Sequence, residues 1–74
     1  MNVIAGYRKM IGLTQKEMAE QLNISELTYR NKEKGRIPFK DFEMLKFYEL
    51  LKPVKPDTGI EAIFFTTKPT QKDV

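Results

Sequence analysis

Apolar residues recur along this chain at helical spacing, in short blocks separated by residues that stop helices. In the first block Ile4, Tyr7 and Ile11 fall at i, i+3 and i+7, so one face of a helix over about residues 3–10 turns inward. Asn2 is placed to cap it, and Gly12 to end it in the left-handed conformation. In the second block Met18, Ala19 and Leu22 share a face. Thr14 with Glu17 makes a capping box there, and Leu13 with Met18 suits a hydrophobic staple. Asn23 tolerates the left-handed conformation that closes the helix, and Ile24 plugs the turn. Ser25 then caps a helix over residues 26–34, which Gly35 and Pro38 stop. Tyr29 is the only large side chain well inside that helix. The pattern therefore buries one narrow stripe and leaves Glu26, Thr28, Arg30, Asn31, Lys32 and Lys34 on a wide polar face.

The remainder follows the same logic. Gly35 and Pro38 make a loop, with Phe39 as an anchor onto the core. Met44, Phe47, Tyr48 and Leu51 at i, i+3, i+4 and i+7 predict a long helix over about residues 40–51, and Pro53 blocks its continuation. Residues 52–57, KPVKPD, read as an extended connector. Thr58 with Glu61 makes a second capping box for a short helix marked by Ile60, Ile63 and Phe64. A strand over residues 60–66 competes, because IFFTT is rich in β formers. Ile60 and Ile63 are expected on the core, with Phe64 or Phe65 partly exposed and serving self-association. The expected architecture is all-α, a compact four- to five-helix bundle over residues 1–66, with a flexible C-terminal tail over residues 67–74.

Composition narrows the chemistry. Seventy-four residues allow one small domain. Cysteine and histidine are both absent, which removes thiolate metal sites, disulfides and the commonest catalytic base. There is no Gly-rich phosphate loop, and the carboxylates are scattered, so neither an enzyme nor a cofactor is expected. No apolar run approaches the ~20 residues needed to span a bilayer. The first ten residues also lack a signal peptide's apolar segment, so a cytoplasmic protein is the expectation. The net charge of +3 is modest, but residues 25–40 hold five basic residues against two acidic ones. That stretch attracts phosphate; a solvated, lysine-rich turn gives the same tally.

Two short helices joined by a tight turn, with the basic excess in and after the second, make a helix-turn-helix candidate. An ordinary amphipathic helix with solvated charges fits the local pattern equally well. The segment TQKEMAEQLNIS, the later KEKG and Pro38 resemble the Cro/repressor-type (XRE-like) helix-turn-helix family. The likeness runs over roughly residues 3–64 and is strongest at Gln15, Ala19, Ser25 and Glu33-Lys34-Gly35. It implies a lambda-repressor-like DNA-binding domain and a minimal phage- or mobile-element-type transcriptional regulator. Two positions depart from the family pattern. Glu26 is acidic where the family often carries a neutral or basic donor, and Lys32 stands where it usually buries an aromatic or aliphatic residue.

Carried over residue by residue, the resemblance implies that the helix over residues 26–34 enters the major groove of double-stranded DNA. Ser25, Glu26, Leu27 and Asn31 then lie nearest the base edges. Asn31 suits adenine, Leu27 a thymine methyl and Glu26 a cytosine amine. Thr28, Arg30, Lys34 and Arg36 are expected at phosphates, as is Gln15 at the start of the preceding helix. Arg8 is expected to pair with Glu33 in a structural ion pair. A homodimer is a further candidate assembly. An alternative function from another class is a modulator, such as an antirepressor, that grips a partner repressor protein instead of DNA.

Overall fold

The first three helices of the chain begin and end on local signals. The computed structural model of the protein describes residues 2–65. Within them α1 spans Val3–Ile11, α2 Gln15–Leu22, α3 Glu26–Glu33, α4 Asp41–Leu51 and α5 Ile60–Phe64. The fold is an all-α bundle, with no strand among the described residues.

The caps explain the boundaries. Asn2 Oδ1 accepts from the Ala5 amide at the start of α1. Thr14 and Glu17 close a reciprocal capping box at α2, at 3.1 and 2.9 Å. Between α2 and α3 the chain reverses through Asn23, which is left-handed at φ 63°. The Ile24 amide reaches back to the Ala19 carbonyl and the Asn23 amide to that of Glu20. This paired return is a Schellman closure. It leaves Ile24 packed on the core and Ser25 free to cap α3. The same closure recurs after α3. Gly35 takes φ 84°, its amide bonds the Lys32 carbonyl, and the Arg36 amide bonds that of Asn31. A side chain at Gly35 meets no steric obstacle, so the demand for glycine is conformational.

Met18, Ala19, Leu22, Tyr29, Phe47, Leu51 and Ile63 form the buried core, and Ile4, Tyr7, Ile11 and Leu13 pack against it. An aromatic ladder ties the loop and α5 to this core. Phe39 meets Tyr29 edge-on at 6.2 Å and Phe64 at 5.2 Å, and Phe64 meets Phe47 at 5.6 Å. The loop anchor expected at Phe39 is thus in place. Phe64 is held in the ladder, whereas Phe65 is exposed.

Three local expectations need correction. Residues 52–57 are not extended: the amides of Val54 and Lys55 both bond the Leu51 carbonyl, folding the connector into turns. The second capping box does not form. Gly59 is the N-cap of α5, one residue later than expected, while Thr58 is buried and its amide bonds the Lys55 carbonyl. The basic patch is also smaller than the tally implies, because Lys32 is buried. The tail expected at residues 67–74, and residue 66 of the expected domain, lie outside the described residues.

Candidate nucleic-acid interface

Helix α3 is fixed from behind by ionic side chains, and Glu33 is their hub. Its Oε2 accepts from Arg8 Nε at 2.8 Å and from the Tyr29 hydroxyl at 2.7 Å. Its Oε1 accepts from Gln15 Nε2 at 2.9 Å. The Glu33 carbonyl accepts from Asn2 Nδ2, and Arg8 Nη1 donates to the Leu13 carbonyl. Helices α1, α2 and α3 are thus joined through one carboxylate. Burial alone pushes the Glu33 pKa up. The hydrogen bonds from Arg8, Tyr29 and Gln15 outweigh that and hold it below the ordinary 4.5. The bond to Glu33 raises the pKa of Arg8. Burial, and then the hydrogen bond to Glu33, push the Tyr29 hydroxyl well above the usual tyrosine range.

A second buried pair holds α3 from its other flank. Lys32 Nζ lies 2.5 Å from Glu43 Oε1, with both side chains nearly inaccessible. The same oxygen accepts from the Lys40 amide at the start of α4. Glu43 Oε2 is buried without a hydrogen-bond partner among the described residues. At the position where an apolar residue is expected, the chain therefore buries a cation and supplies its counter-ion from α4.

With Tyr29, Lys32 and Glu33 turned inward, 3.6 residues per turn sets the outward face. Leu27, Arg30, Asn31 and Lys34 share it, with Glu26 and Thr28 at its margins. Leu27 is 71% exposed, the most open large apolar side chain among the described residues. Arg30 Nη2 bonds Glu26 Oε2 at 2.7 Å across one exposed turn. Asn31 is half-buried, and its carbonyl closes the helix end. Lys34 is the C-cap of α3, not its last helical residue; it and Arg36 are exposed.

Several sequence-selected residues carry structural duties as well. The Ser25 hydroxyl accepts from the Thr28 amide at 3.1 Å and donates to the Thr28 hydroxyl at 2.8 Å. Gln15 is half-buried, with one amide hydrogen committed to Glu33. Arg30, expected at a phosphate, has a carboxylate partner. Sequence reasoning missed Tyr29 and Gln15 as partners of Glu33, and it missed the Lys32–Glu43 pair altogether. The departure at Lys32 was the one available signal, since a buried lysine requires a counter-ion.

Among the described residues no helix is long and apolar enough to cross a membrane. The chain matches no family model, no curated protein and no solved structure.

Proposed function

We propose that this chain is a sequence-specific double-stranded DNA-binding transcriptional regulator of the Cro/repressor-like helix-turn-helix type, with α3 entering the major groove. The observation that carries the reading is the division of labour on α3. Its inner stripe is locked by the Arg8–Glu33 and Lys32–Glu43 pairs, while Leu27, Arg30, Asn31 and Lys34 face outward. An α-helix with its side chains is about 10–12 Å across. The major groove is about 12 Å wide, so an outward helix face of this kind fits.

In this reading Asn31 offers a donor and an acceptor to adenine, and Leu27 meets a thymine methyl. Lys34, and Arg36 just beyond the Schellman closure, meet phosphates on the backbone side. Gln15 keeps one amide hydrogen after bonding Glu33, and it offers that hydrogen to a phosphate beside the first turn of α2. Ser25 and Thr28 shape the first turn of α3, and Thr28 reaches the backbone at its margin. The buried pairs hold the helix rigid, so these side chains meet the groove in one register.

Selection from a pool of random duplexes, followed by titration of the enriched duplex at several salt concentrations, tests the proposal. A recurring site whose affinity falls steeply with salt is the expected result. Failure to bind any duplex at low salt would overturn it, and capture of a partner repressor by such a protein would favour the modulator instead.

A further inference from the structure

The Glu26–Arg30 pair does not suit a phosphate contact. Glu26 Oε2 lies 2.7 Å from Arg30 Nη2, so the carboxylate offsets part of the charge that draws a guanidinium to phosphate. The pair is also well placed to persist. Glu26 sits in the first turn of α3, where a carboxylate is favoured, and glutamate preceding arginine by four residues is the better orientation. What the pair supplies is direction. One Nη2 hydrogen is committed, and four of the five guanidinium donors remain in a fixed plane. Arg30 is half-exposed beside Leu27, and the two line a shallow concavity with Glu26 on the outward face of α3.

We infer that Arg30 is a specificity-determining residue that reads a guanine in the major groove, and that Glu26 is the positioning residue that holds its guanidinium for that contact. This rests on the proposal that α3 enters the groove. Guanine presents O6 and N7 as neighbouring acceptors, which two parallel N–H donors of arginine match. The contact needs alignment, not net charge, and alignment is what Glu26 provides. The ion pair also lessens the repulsion that a bare carboxylate would meet near DNA.

The test uses the duplex selected by the wild-type protein, and versions of it with each base pair replaced in turn. Wild type, Arg30→Lys, Arg30→Ala and Glu26→Gln are titrated against all of them at several salt concentrations. Wild type should lose affinity sharply at one G·C position. At that position alone, Arg30→Lys should reduce discrimination about ten-fold or more, since it keeps the charge and loses the fork. Glu26→Gln should weaken discrimination at the same base pair while tightening binding to unrelated duplexes. Arg30→Ala, which bares the Glu26 carboxylate, should weaken unrelated duplexes too, but its loss should be greatest at that one G·C position. If Arg30→Ala weakens every duplex by the same factor and Arg30→Lys changes discrimination at no base pair, Arg30 is a phosphate contact and the inference fails, with the DNA reading intact. If wild type binds no duplex, the DNA reading itself fails and takes this inference with it.

Discussion

Removing Glu33 should loosen α3 from α1 and α2, because three donors from three helices depend on it. The Arg8 and Glu33 side chains are only 10% and 4% exposed. Truncating one partner of a buried pair costs about 3–5 kcal/mol, mostly because it strands the other charge. Glu33→Ala should lie at the upper end, since Arg8, Tyr29 and Gln15 all lose an acceptor. Arg8→Ala should cost less, because the carboxylate keeps its bonds from Tyr29 and Gln15. A domain of 74 residues has a total stability of roughly 4–11 kcal/mol. Either change therefore removes a large part of it, and 3 kcal/mol corresponds to a drop in Tm of at least about 12 °C. Urea unfolding of wild type, both single variants and the double variant completes a double-mutant cycle. The double variant should be less damaged than the sum of the singles by on the order of 2 kcal/mol. Near-neutral effects, or additivity within about 0.5 kcal/mol, would refute the hub.

Acid should expose the same dependence: because the folded-state pKa of Glu33 lies below its ordinary 4.5, the carboxylate contributes stability at neutral pH. That contribution fades as pH falls from about 4.5 toward the lower folded value, so Tm measured against pH should fall less in Glu33→Gln than in wild type over this range. At the second buried pair, Lys32→Met alone should cost about 3 kcal/mol or more by stranding Glu43, whereas joint replacement by Lys32→Met and Glu43→Leu should be neutral or stabilising; equal losses in thermal melts of the two variants would contradict this. Phe65 is exposed at the rim of a groove of about 390 Å³ lined by Ile37, Pro38 and Phe64. We predict that wild type self-associates on DNA and that Phe65→Ser does not, as sedimentation would read; a wild type that stays monomeric on its selected duplex would exclude the dimer.

Local chemistry was legible in the sequence. The Thr14–Glu17 box, the left-handed Gly12 and Asn23 and the Ser25 cap depend only on neighbours along the chain, and each is present. The stripe in α4 was legible too, with Phe47 and Leu51 fully buried and Met44 and Tyr48 partly so. What escaped depends on distance along the chain. Lys32 and Glu43 lie in different helices, and hydropathy alone assigns each to the surface. The Gln15–Glu33 bond likewise spans eighteen positions, so nothing local announces it. The misplaced cap at Thr58 differs from the observed one by a single residue. Thr58 is buried and its amide bonds the Lys55 carbonyl, and burial is not a property of the local sequence.

The outward face of α3 can be tested most directly by comparing two single substitutions in one titration series. Asn31→Ala should cost about 1–3 kcal/mol on the selected duplex, relax the choice at one base pair and leave scrambled duplexes unaffected. Arg36→Ala should weaken selected and scrambled duplexes alike and reduce the salt slope by about one unit. If both variants bind every duplex as wild type does, at every salt concentration, α3 and the loop after it are not the DNA-reading surface.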